Sequence, residues 1–155
     1  MIAVADTTPI NYLVLIGAVD VLARLYERVL IPESVHGELL HARTPAQVRE
    51  WIQQRPSWLI VERPTRPPDP SLSRLSAGER DAILLTEEFA CDQLIIDELL
   101  GRKVAEQRGI AVVGTVGVLR EAAEAGLLDL REVFEQLKQT SFHISPAILA
   151  ELLKD

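Results

Sequence analysis

Cysteine is nearly absent from this 155-residue chain. The single Cys91 excludes an internal disulfide and a cysteine-based zinc cluster, and it favours a reducing compartment. No apolar run approaches the ~18–20 residues of a membrane span. The opening Met1-Ile2-Ala3-Val4-Ala5-Asp6 lacks a basic stretch and reaches a carboxylate at once, which argues against a signal peptide. Basic residues are also short. Sixteen Lys and Arg against 23 Asp and Glu give a net charge of −7, which argues against a protein that coats nucleic acid by bulk charge. Neither an internal repeat nor a glycine-rich phosphate loop after the first apolar run is present, so nucleotide-cofactor binding is poorly supported. What the chain has is apolar substance, 48% hydrophobic against 25% charged, too much for disorder and enough for one core. The expectation is a single soluble, cytoplasmic domain with no membrane contact.

The charge is unevenly spread. From His41 to Arg66 five arginines face two acids, whereas from Pro67 to Leu100 two arginines face eight acids. A basic segment beside an acid-rich one suits a phosphate-bearing substrate steered toward a metal; ordinary solvated faces are the plainer alternative.

Short apolar runs alternate with helical patterns. Strands are expected at Ile2–Ala5, Val29–Ile31, Leu59–Val61, Leu94–Ile96 and Ile110–Val113. Helices are expected from about Pro9 to Ile16, Val19–Tyr26, Ser34–Ala42, Pro45–Gln54, Ala77–Ala90, Gly101–Arg108, Val116–Ala125, Leu130–Gln139 and Pro146–Leu153, with Gly17 and Gly109 as stops. Four prolines between Arg63 and Ser71 mark a loop. Strands separated by helices need crossovers, so the fold class is α/β, three layers with a mainly parallel central sheet. Residues 1–155 form one domain, 136–155 being a helical extension.

In open parallel sheets, ligands sit beyond the carboxyl ends of the strands. Two expected strands end there in aspartate, Asp6 and Asp97. Carboxylates gathered at such a place raise one another's pKa unless a cation neutralises them. Mg²⁺ or Mn²⁺, hard ions that take oxygen ligands, would do so and would favour phosphodiester hydrolysis.

The pattern Asp6-Thr7-Thr8-Pro9-Ile10, Glu38 within His36-Gly37-Glu38-Leu39-Leu40, Gly78-Glu79, and Ile95-Ile96-Asp97-Glu98 resembles the PIN-domain superfamily. Gly101-Arg102-Lys103-Val104-Ala105, Val113-Gly114-Thr115-Val116-Gly117-Val118-Leu119 and Phe142-His143-Ile144-Ser145-Pro146 resemble a prokaryotic branch related to VapC-type toxins. The resemblance spans nearly the whole chain. It implies an α/β/α metal-dependent ribonuclease acting on RNA, usually a homodimer, restrained by a small antitoxin.

Each candidate has a plainer role beside the chemical one. Asp6, Glu38, Glu79 and Asp97 are the expected catalytic acids, with Asp6, Asp97 and Glu79 as metal ligands. Asp6 and Asp97 could instead cap helices, and Glu38 could be a surface acid. Glu79 could simply close a capping box with Ser76. Asp81 is the second choice for its place: at 100° per residue Ala82, Thr86 and Phe89 share the inward face, Glu79 borders it, and Asp81 lies nearer the charged side. Glu98 reads as first-turn charge that favours the helix dipole. Thr7 would orient the acids or their waters, and Thr115 would cap its helix and line the site. Arg102 and Lys103 are possible RNA contacts or a surface pair. Trp51 and Trp58 could stack on bases, though core or dimer packing suits them better. The three histidines lack metal-ligand spacing.

Two other classes compete with the nuclease. A catalytically degenerate fold would be a binding module. A phosphatase using Asp6 as nucleophile would be expected to carry a second aspartate two residues on, where Thr8 stands.

Overall fold

A computed structural model describes residues 1–143. The helix expected at Pro146–Leu153 and most of the 136–155 extension lie outside them. Five strands, β1 (Ile2–Ala5), β2 (Arg28–Pro32), β3 (Leu59–Glu62), β4 (Gln93–Ile95) and β5 (Val112–Val113), pair in the order β3-β2-β1-β4-β5. Every pairing is parallel, with Val4 opposite both Leu30 and Leu94.

Both faces of the sheet are buried, and the two-residue period of the strands sorts their side chains between two cores. Ala3, Ala5, Val29, Ile31 and Ile95 enter one core. There they meet side chains of α1 (Thr7–Leu15), α2 (Val21–Leu25), α3 (Glu33–Leu39), α4 (Ala46–Gln53), α7 (Thr115–Glu124) and α8 (Leu130–Lys138). Val4, Leu30, Leu94 and Ile96 enter the other, under α5 (Ala77–Glu88) and α6 (Leu99–Gln107). The result is the three-layer α/β/α architecture expected from the alternation of strands and helices.

Element boundaries differ in ways local chemistry explains. Pro9 sits inside the first turn of α1, where its missing N–H costs nothing, so the helix begins at Thr7. Helix α3 stops at Leu39 rather than Ala42, because Thr44 Oγ1 donates to the Glu38 carbonyl (2.8 Å) and turns the chain. Helix α6 starts two residues early because Glu98 is its N-cap, accepting from Leu100 N–H at 3.3 Å. Gly17 and Gly109 follow their helices at φ of 70° and 79°, as stop signals should. Ile110 and Ala111 stay outside β5, although Ala111 still accepts from Leu94 N–H. Phe89, expected inward on α5, is the exposed C-cap instead.

The loop from Arg63 to Ser71 is held onto α5 and α6. Thr65 donates to Glu88 through N–H and hydroxyl, and Arg108 joins Asp69 to Glu87. From β1 the chain builds outward through β2 and β3, then returns to lay β4 and β5 on the other side. The crevice between β1 and β4 is therefore the switch point, where such sheets bind ligands.

Candidate functional site

Asp6 and Asp97 leave β1 and β4, the two strands that flank the switch point, and Asp6 N–H donates to Ile95 O at 2.9 Å. The two carboxylates are thus side by side by backbone register, not by chance of loop folding.

Asp6 occupies the N-cap position of α1, yet its side chain makes no capping bond. It is only 6% exposed. Burial, followed by the charges of Glu79, Glu38 and Asp97, pushes its carboxyl from 3.8 up to about 7, despite an opposing contribution from Thr7 N–H. Asp6 is a buried acid ringed by like charge.

Glu38 reaches the same place from α3. Thr7 Oγ1 donates to its Oε2 at 2.6 Å, so the threonine after the first acid orients the second. Room for both carboxylates is made by Gly78 in the first turn of α5. A Cβ there would lie 2.9 Å from Glu38 Oε1 and 3.3 Å from Asp6 Oδ1.

Glu79 completes the capping box: Ser76 N–H donates to Oε1 (2.9 Å), and Glu79 N–H donates to Ser76 Oγ (3.3 Å). Its two readings are compatible, since only Oε1 is spent. Oε2 points toward Gly101, 3.7 Å from where a Cβ would stand, and the Glu79 charge acts on Asp6. Asp81 goes elsewhere. It accepts from Ser34 Oγ (2.7 Å) and lines a separate cavity of about 530 Å³ with Arg63, Arg66 and Arg80.

Asp97 is held differently. Its Oδ1 accepts from Thr115 N–H (2.8 Å) and its Oδ2 from Thr115 Oγ1 (2.6 Å). Burial raises its pKa, while these bonds and the charge of Arg102 pull it back. Thr115 is wholly buried and is the first residue of α7; Gly114, not Thr115, is the N-cap, so the threonine orients Asp97 instead of capping. A Cβ on Gly114 would stand 2.7 Å from both Asp97 Oδ1 and Arg102 Nη1.

Arg102 Nη1 also donates to Ile96 O (3.2 Å), which keeps the guanidinium at this edge. Lys103, one residue on, is exposed and lines a neighbouring hollow with Leu99, Arg102, Glu106 and Gln107. Trp51 and Trp58 pack on the core, ring centroids 6.2 Å apart; Trp58 precedes β3, at the sheet's amino end and away from the acids. Gly78 and Gly114 are the residues whose role sequence reasoning missed. The available signal was a glycine in a helix's first turn or at its cap beside a candidate residue, where its backbone cost implies close approach.

Four carboxylates, one of them buried and opposed by the other three, are a donor set suited to a hard divalent cation. As arranged, they ring the mouth without closing on a point: among the described residues, no three His, Cys, Asp or Glu side chains are grouped tightly enough to hold a metal ion. No helix among the described residues is long and apolar enough to cross a membrane.

A search of curated proteins gives no match. Among solved structures, a PilT N-terminus domain protein from the hyperthermophilic archaeon Sulfolobus solfataricus P2 shares the fold, with a TM-score of 0.54 at 15% identity over 94% of this chain and 100% of that one. The family model for DUF3368, described as a PIN domain, matches residues 2–155. The chain therefore belongs to the PIN-domain family, whose members commonly include nucleases and are typically dependent on divalent metals.

Proposed function

We propose that this protein is an Mg²⁺- or Mn²⁺-dependent endoribonuclease. The observation that supports this reading best is Asp6: a buried carboxyl at the switch point, without a capping bond and faced by three other acids. Asp6, Glu79 and Asp97 would hold the cation, and Glu38 would complete the acidic ring. When bound, such an ion supplies activation of water and neutralisation of phosphodiester charge. The chain's own residues do the positioning. Thr7 fixes Glu38, Thr115 fixes Asp97, and Gly78 keeps the space between Asp6 and Glu38 clear. Arg102 at the edge offers a phosphate a charge-assisted hydrogen bond, and Lys103 lines a hollow that Arg102 shares.

The proposed setting is cytoplasmic, as the toxin of a toxin–antitoxin pair, with a small antitoxin as partner. This rests on the likeness to VapC-type toxins. A homodimer is proposed across the face where α4 presents Trp51, beside a hollow shared with Val14 and Val19. Sedimentation as a monomer at tens of micromolar would count against the dimer.

Incubating single-stranded RNA with the purified protein tests the activity. Internal cleavage that needs Mg²⁺ or Mn²⁺ and disappears in Asp6→Asn is the expected result; cleavage that survives chelation or the substitution contradicts it. A second reading, a PIN fold that binds without cutting, is favoured by one observation: the acids ring the mouth without three of them meeting. Folded protein that binds RNA in metal and leaves it intact would select that reading.

A further inference from the structure

Beside Asp97 the acid mouth opens into a cavity of about 670 Å³. Its walls are apolar where Tyr12, Leu99, Val112, Val116 and Phe142 line it. Two features mark it as built. Tyr12 and Phe142 meet edge to face, centroids 5.0 Å apart, while the Tyr12 and Ser141 hydroxyls share a 2.7 Å hydrogen bond. These contacts fix the 141–142 segment against α1 and hold the aromatic wall in place. Leu99, in the first turn of α6, is 80% exposed at the same cavity.

Two lining residues belong to the acid mouth as well: Asp97 and Arg102. The cavity is thus continuous with the proposed reaction site, and a guanidinium held by Ile96 O stands at the border. Whatever lies across the acids and continues into this hollow must pair a negative group with a flat apolar one.

We propose that the cavity receives one unpaired nucleobase of the RNA strand whose phosphates cross the acid mouth; this rests on the ribonuclease reading and names how its substrate is recognised. The base sits against the Tyr12–Phe142 wall and under Leu99, and Arg102 meets the adjoining phosphate. Single-stranded RNA can splay a base out in this way, and base–aromatic stacking adds affinity to the backbone contacts. The volume lies within the range of ordinary ligand pockets, with room for a purine or a pyrimidine. A protein side chain could fill an apolar hollow too, and binding of RNAs that lack one base separates that occupant from a base.

The test uses fluorescein-labelled, phosphorothioate-linked RNA pentanucleotides, each lacking the base at one position. Binding to the full chain in Mg²⁺ is followed by anisotropy, and cleavage of the phosphodiester versions is measured in parallel. In the wild type, removing one particular base should weaken binding about tenfold, the scale of one lost stack. In Leu99→Asp that dependence should fall below about twofold, with the melting temperature kept, since Leu99 is exposed. Phe142→Ala gives a second, independent readout from the aromatic wall. Uniform affinity across the set in wild type overturns the proposal, and so does base dependence that both variants retain. A cavity filled by a protein partner, or by the chain's own last residues, gives that uniform result. RNA that is cut with no base dependence sinks this proposal and leaves the ribonuclease standing. Base-dependent binding without cleavage does the reverse, and RNA neither bound nor cut overturns both.

Discussion

Asp6 and Asp97 end neighbouring strands, are both withdrawn from water, and yet live in opposite surroundings. Asp97 accepts two hydrogen bonds from Thr115 and has Arg102 beside it. Asp6 has no capping bond and three acids for company. Burial raises both, but at Asp97 the Thr115 bonds and Arg102 oppose the rise, while at Asp6 only Thr7 N–H opposes it and three acids add to it. One acid is oriented in advance; the other holds its proton up to about pH 7 unless a cation balances its charge. A helix cap would explain Asp97's neighbour Glu98, which does cap α6. It does not explain Asp6. In the proposed mechanism, the cation's principal seat is therefore Asp6, with Asp97 as the fixed second point.

The largest expected effect comes from removing the uncompensated acid. Asp6→Asn should lower RNA cleavage by more than about 100-fold, beyond what loss of an orienting partner costs a metal site. Thr115→Val breaks the other side of the comparison. It removes the hydroxyl bond to Asp97 but keeps the N–H bond, so a loss of about tenfold is expected. Equal losses in rate assays on the two variants would erase the distinction between the two acids.

Gly78→Ala should act on the Asp6 side without unfolding the protein. The new Cβ meets Glu38 Oε1 at 2.9 Å and displaces that flexible end, while alanine's better helix propensity returns up to about 1 kcal/mol. Cleavage should drop about 10-fold or more, with a melting temperature near the wild-type value.

The pH dependence of stability sharpens the contrast further. Folded Asp6 holds its proton to about pH 7, whereas the unfolded chain releases it near 3.8. Between those values the native state binds more protons, so this group's contribution weakens as pH rises from about 4 to about 7. Asp6→Asn lacks that loss. In metal-free buffer its melting temperature should match the wild type near pH 4 and exceed it by several degrees above pH 7, a gap that excess Mg²⁺ should narrow by stabilising only the wild type.

The smallest effect is expected at Asp81. Its partner is Ser34 and its cavity is separate, so Asp81→Asn should leave cleavage within about twofold of wild type. Glu79→Gln keeps the capping box and should lose activity while staying folded. The reverse pattern in paired activity and melting assays would return the third ligand to Asp81.

Much of this was legible in the residues. Short apolar runs alternating with helical patterns, and an aspartate after two of them, located the sheet and its mouth. The choice between Glu79 and Asp81 lay at the edge of what helical phase can decide, because Glu79 only borders the inward face while Asp81 lies nearer the charged side. The space kept by Gly78 was not legible, since it depends on Glu38 arriving from another helix. Nor was the cavity beside Asp97, which needs Tyr12 and Phe142, 130 positions apart in sequence, to meet. The helix ends at Leu39 and Leu99 turned on single side-chain bonds from Thr44 and Glu98, which periodicity cannot register.

Calorimetric titration with Mn²⁺ tests the central claim most directly. The wild type should bind the ion, Asp97→Asn should bind it more weakly, and Asp6→Asn should show the greatest loss while remaining folded. Equal affinity in the wild type and Asp6→Asn, or no binding by the wild type, would contradict the account.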